Sequence, residues 1–164
     1  MKTSTRILIV ILLVVGLPII LGAGIILANQ LQTHSLADDY RLIQPVVIDN
    51  SVYNTSSRDA FEFLRVELDN DLLTIEISYS GGLKSHDFGL IGTGEFMESM
   101  PIQTRVALSH DSNGDLGEAL LTKELNYDLK PLKELYFSIY SFTSPDDISL
   151  QINIEGYGGI LYNL

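Results

Sequence analysis

Cysteine and tryptophan are both absent from this 164-residue chain. Without cysteine no disulfide can form, no thiol nucleophile is available, and a lipid cannot be attached through a cysteine. A disulfide-free exported domain is unusual but permitted. The two absences together also remove the cysteine–tryptophan signature of antibody-type domains. Positive charge is scarce. Ten Lys and Arg stand against 21 Asp and Glu, a formal net charge of −11. Two of the ten, Lys2 and Arg6, precede everything acidic, so the chain beyond residue 30 has eight basic and 21 acidic residues, a net of −13. Such a surface repels nucleic acid and anionic lipid. Solubility is its plainest role, and a divalent cation such as Ca2+ is its most specific partner. Catalytic signatures are missing too. There is no G-x-S-x-G, Ser80-Gly81-Gly82 has no defined base beside it, and no glycine loop fits a phosphate.

What the chain does have is one long apolar run. Residues 7–27 contain no charge, and only Gly16, Pro18, Gly22, Ala23 and Gly24 relieve the Ile/Leu/Val pattern. About 20 such residues cross a hydrocarbon core as a helix. Pro18 removes one backbone donor and is expected to bend it. Lys2 and Arg6 favour the cytoplasmic side, while residues 29–40 carry Asp38 and Asp39 without Lys or Arg. The expected topology is N-terminus inside and C-terminus outside. Cleavage is the competing reading, in which case the domain is secreted. The run is long for a signal h-region, and Ile26 is a poor small residue before Ala28. An uncleaved anchor is therefore preferred. Gly16, Gly22 and Gly24 also permit close helix packing.

The expected organisation is a cytoplasmic N-terminus over 1–6, a transmembrane helix over 7–27, a polar linker over 28–58 and an extracytoplasmic domain over 59–164. Within the linker, Val46, Val47 and Ile48 suit a first edge strand behind Pro45. Asn54-Thr55-Ser56 matches the short N-glycosylation pattern, which is common by chance.

From Phe61 onward the period is two. Leu73, Ile75, Ile77 and Tyr79 alternate with polar residues and share one strand face. Phe63-Leu64 breaks the phase of the preceding run, and a bulge there restores it. Asp69-Asn70-Asp71 suits the hairpin turn between them. Leu121, Leu125, Tyr127 and Leu129 share a parity, as do Ile148, Leu150, Ile152 and Ile154. Gly156-Tyr157-Gly158-Gly159 turns the chain into a last strand over 160–163. Shorter strands are expected over 87–92, 103–109 and 136–142. The one helical candidate, 117–124, equally suits a strand start. About eight short strands separated by Gly and Pro predict an all-β fold, an antiparallel β-sandwich or small barrel. An immunoglobulin-like topology is one option.

Two His-Asp pairs, His86-Asp87 and His110-Asp111, use two of the three histidines. Asp111, Asn113 and Asp115 have the spacing of the first three ligands in a calcium loop. The match then fails: Leu116 holds the glycine position and Thr122 the glutamate position. A turn built from Asp, Asn and Gly is the simpler reading. His86 and His110, with Asp87 or Asp111, are candidate Zn2+ ligands or acid–base groups if neighbouring strands bring them together. Hydrogen bonding that orders loops at strand ends is the simpler reading here as well.

One series of short motifs is similar to a group of uncharacterised exported bacterial proteins, often lipoproteins. It runs Tyr79-Ser80-Gly81-Gly82, His86-Asp87-Phe88, Glu98-Ser99-Met100-Pro101-Ile102-Gln103, Leu108-Ser109-His110-Asp111, Asp115 and Leu125-Asn126-Tyr127-Asp128-Leu129-Lys130-Pro131-Leu132. The resemblance covers residues 73–132 and implies export and a β-sandwich domain, with no activity attached. Those relatives often carry cysteines where Leu83 and Gly117 stand here. Loss of both implies a lost disulfide, and hence that the His86 and His110 loops lie close together. Two functions are consistent with these features. One is a membrane-anchored binding or structural module of the cell envelope, whose partner is an envelope protein or ligand. The other is a metal-dependent hydrolase using the His86 and His110 loops.

Overall fold

The computed structural model describes residues 43–140 and 148–164. The expected transmembrane helix over 7–27, and the linker up to residue 42, lie outside these residues. Among the described residues, no helix is long and apolar enough to cross a membrane.

The described residues form nine strands and two helices. The strands are β1 Ile43–Pro45, β2 Val47–Ile48, β3 Glu62–Asp69, β4 Leu72–Gly81, β5 Asp87–Met97, β6 Ile102–Asp111, β7 Ala119–Asp128, β8 Ser149–Ile154 and β9 Gly158–Asn163. The helices are α1 Asn50–Thr55 and α2 Lys130–Ile139. One sheet has the order β1-β7-β4-β3 and the other β2-β5-β6-β8-β9. Both contribute to one apolar core, with Leu73, Ile75 and Ile77 from the first and Leu90, Val106, Leu108, Leu150 and Ile152 from the second. Two sheets closing on a shared core make a β-sandwich.

Alternation places these side chains as the sequence implies. Leu73, Ile75 and Ile77 are wholly buried, as are Leu150 and Ile152. Burying each such side chain contributes about 1.5–3 kcal/mol. The phase break in β3 is a bulge: Phe63 faces Ile77 and Arg65 faces Glu76, so Leu64 has no cross-strand partner. Asn70 turns the β3–β4 hairpin with a positive φ of 53°, a conformation that asparagine tolerates better than most residues.

Four expectations need correction. First, the sandwich is not wholly antiparallel: β1 pairs with β7, β2 with β5 and β6 with β8, all in parallel. Second, residues 43–58, assigned to the linker, belong to the sheets and their connections. The chain switches sheets at Val46, which is buried between β1 and β2 and whose N–H donates to the Asp128 carbonyl at 3.0 Å. A stretch that is mostly polar beyond Ile48 hides this, because each sheet takes only two or three residues of it.

Third, α1 also lies in that stretch. It is capped by the Asp49 carboxylate, which accepts from the N–H groups of Ser51 and Val52, and a side-chain acceptor there satisfies free first-turn donors. Asn54 of the glycosylation pattern sits within it and donates to the Asn50 carbonyl at 2.7 Å. Fourth, the strand expected over 136–142 is helical up to Ile139. Pro131 occupies the first turn, where its missing N–H costs nothing, and the Asp128 carboxylate accepts from Lys130 N–H. Leu132 and Tyr136, one turn apart, are both buried. Of the aromatic run that mimics a strand, Tyr136 joins Leu132 on the inner face of α2, while Phe137 and Ile139 are exposed.

Core and surface positions should respond differently to truncation. Ile75→Ala should cost about 2–5 kcal/mol, whereas Leu120→Ala on the exposed face should fall within about 0.5 kcal/mol. Urea unfolding of both variants measures the difference.

Candidate functional site

His86 and His110 meet. β5 and β6 are adjacent and antiparallel, with Phe88 opposite His110 and Asp87 opposite Asp111. His86, just before β5, reaches the same end of the sandwich, and its Nδ1 lies 2.8 Å from His110 Nε2. Both residues are buried, at 8% and 1% exposure. Their rings sit in an aromatic nest. Phe88 stacks on His110 at 4.6 Å and 8°, and Tyr79 lies 4.8 Å from His86 and 5.4 Å from His110.

The outer nitrogens are also engaged. His110 Nδ1 donates to the Asp59 carbonyl at 3.1 Å. His86 Nε2 donates to Asp115 Oδ2 at 3.1 Å. Asp115 is the hub of the cluster. Its carboxylate accepts from the backbone N–H groups of Gly82, Leu83, Lys84 and Gly117. Its side chain is fully enclosed. Burial alone pushes this carboxyl up, but the N–H groups of Gly117, Lys84 and Leu83 and the His86 ring outweigh it, and the group is held well below the usual carboxylate range. One acidic side chain thus joins the β4–β5 loop to the β6–β7 loop and, through the histidines, to the segment before β3.

The three oxygen-bearing residues of the calcium-like spacing point to different tasks. Asp111 Oδ1 accepts from Asn113 N–H at 2.8 Å. The Asn113 side-chain amide donates to the Ser85 carbonyl and to Asp87 Oδ2. Asp115 turns inward as described. Asn113 and Gly114 take positive φ, and Lys84 Nζ donates to both of their carbonyls. Among the described residues, no group of three or more His, Asp or Glu is arranged to hold a metal ion. The histidines and Asp115 come together, while Asp87, Asp111 and Asn113 form a separate, exposed lacing of the same two loops. Asp59 carried no signal in the sequence, because it acts through a carbonyl and through Oδ2, which accepts from Ser112 N–H at 2.7 Å.

The closeness of the two loops agrees with what the resemblance implies. Gly117 nevertheless has no room for a side chain, since an added Cβ would lie 2.4 Å from the Gly81 carbonyl oxygen. Here the polar clamp, and backbone pressed against backbone, fill the space.

No family model matches the chain, and no curated protein matches it either. Among solved structures, it is similar to a NigD-like immunity protein from Bacteroides caccae, with 17% identity, 74% of this chain and 59% of that chain covered, and a TM-score of 0.53. A protein of unknown function from Bacteroides vulgatus aligns at 12% identity over 74% of this chain and 56% of that one, with a TM-score of 0.45. The chain therefore spans less than two thirds of the length of these structures. The first likeness supports the sandwich fold.

Two variants test the clamp. The native Asp115 carboxyl stays ionised to lower pH than in the unfolded chain. Its stabilisation is complete above about pH 4 and is lost as pH falls through the native value. Asp115→Asn should therefore lower the urea midpoint at pH 7 and flatten its decline on acidification; an unchanged acid profile would remove Asp115 from this role. Gly117→Ala should destabilise by about 1–3 kcal/mol through overpacking, measured in the same way.

Proposed function

We propose that this chain is a membrane-anchored extracytoplasmic β-sandwich that serves as a binding or structural module of the cell envelope. The observation that carries this reading over a hydrolase is the state of Asp115. Its carboxylate is spent on four backbone N–H groups and one histidine, inside a cluster closed to solvent. A hydrolytic site needs a group free to activate water and space for a substrate beside it. The His86–His110–Asp115 cluster instead has the chemistry of a loop clamp. Asp111, Asn113 and their Ca2+-like spacing fit the lacing of the same loops, and Zn2+ or Ca2+ is not needed to explain the arrangement.

The anchor rests on the uncharged run over 7–27, with Lys2 and Arg6 before it and a net charge of −13 after residue 30. An acidic, cysteine-free domain outside the membrane stays soluble and resists sticking to anionic lipid. The rigid end built by the clamped loops presents Leu83 and Leu116, both strongly exposed, and is the surface favoured for a partner.

Topology is directly measurable. In a bacterial host, the full chain should remain in the membrane pellet after alkaline carbonate, and protease added to spheroplasts should degrade the domain. A protected domain would reverse the orientation, and a soluble chain in the cytoplasm would end the envelope reading.

A further inference from the structure

The two histidines face each other with both outer nitrogens committed. His110 Nδ1 meets a carbonyl oxygen, which only accepts, so this nitrogen carries a hydrogen. His86 Nε2 meets a carboxylate oxygen, which likewise only accepts, so it carries one too. A neutral imidazole has one N–H. If both rings were neutral, His86 Nδ1 and His110 Nε2 would present lone pairs to each other at 2.8 Å. That is a hydrogen-bond distance, and two acceptors do not hold it in a buried site.

We infer that His86 and His110 form a buried binding site for one proton, shared as N–H···N between His86 Nδ1 and His110 Nε2. The pair is then one imidazole and one imidazolium, and the Asp115 carboxylate supplies the compensating charge 3.1 Å from His86. The proton completes an unbroken chain from the Asp59 carbonyl through His110 and His86 to Asp115, and on to the N–H groups of Gly82, Leu83, Lys84 and Gly117. A second proton would set two donors face to face, so the site takes one.

The surroundings fit a single positive charge. β4 contributes Tyr79, β5 Asp87 and Phe88, and β6 Asp111. The segment before β3 contributes Arg58 and Asp59, β7 contributes Lys123, and the loops contribute Lys84 and Asp115. Lys123 Nζ is occupied over the Phe88 ring at 4.8 Å, and Lys84 Nζ by two carbonyls. The Asp59 carboxyl is held below its usual range, chiefly by the hydroxyl and N–H of Ser112 and further by the two imidazoles. Acidic groups thus outnumber basic ones around the pair.

The consequence is a loop clamp that depends on the shared proton. Removing the proton sets the two rings against each other and frees the loops that carry Leu83 and Leu116.

The test uses the full chain in detergent micelles, labelled with 15N-histidine and carrying His34→Gln so that only the pair reports. At pH 7.5, NMR should show three ring N–H protons and a scalar coupling between the two ring nitrogens. Unfolding in unbuffered urea at that pH should release close to one proton, and His110→Gln should reduce the release to near zero. Two ring N–H protons without coupling would overturn the inference. So would stoichiometric metal retained after dialysis, found by elemental analysis, because a metal ion would then occupy the proton's place. If His110→Gln fails to fold, the parent spectrum decides alone.

Discussion

Everything in this domain depends on two sheets hiding one face each from water. A sheet buries alternate residues, so a strand can enter the sandwich only with an unbroken period of two or with a device that repairs it. The bulge at Leu64 is such a repair, keeping Phe63 and Val66 on the inner side. The sheet switch at Val46 is another. A single buried residue lets one short stretch of backbone lend β1 to one sheet and β2 to the other. The core then needs no disulfide, and the absence of cysteine is tolerated because close packing over many side chains supplies the stability.

At the loop end that packing gives way to polar chemistry. The loops between β4 and β5 and between β6 and β7 hold few apolar residues that turn inward, and their backbone N–H groups need acceptors. Asp115 supplies them. A buried carboxylate is tolerated only when it is richly hydrogen-bonded or paired, and here it is both. The loop geometry and the charge state of the cluster are therefore one problem with one solution. The two histidines and the carboxylates around them each already have a partner within the protein.

Strand positions and inner faces were legible because they follow local alternation: β4 and β8 and their buried residues could be read residue by residue. Pairing direction was not, since parallel and antiparallel neighbours leave the same pattern in a single short strand. The helix α2 was hidden because Tyr136, Phe137 and Ile139 are residues that strands also favour, and only Pro131 and the burial of Leu132 and Tyr136 decide the matter. For the site, Asp, Asn and Gly between Asp111 and Gly117 suggested a turn, and Asp111 Oδ1 accepts from Asn113 N–H there. Which oxygen turns inward depends on the β4–β5 loop, far away in sequence. The meeting of His86 with His110 was foreseeable from the lost disulfide that the resemblance implies, or once their strands were taken as neighbours.

The parallel pairing of β1 with β7 has a mechanical consequence. Tension applied at Ile43 along β1 acts along the ladder between residues 43–45 and 126–128. The hydrogen bonds of that ladder are loaded together in shear, instead of being peeled one after another. Just beyond it, Val46 is wedged between the sheets, and its N–H bond to Asp128 shares the load. Resistance to a pull at Ile43 is in this way shared among several bonds at once.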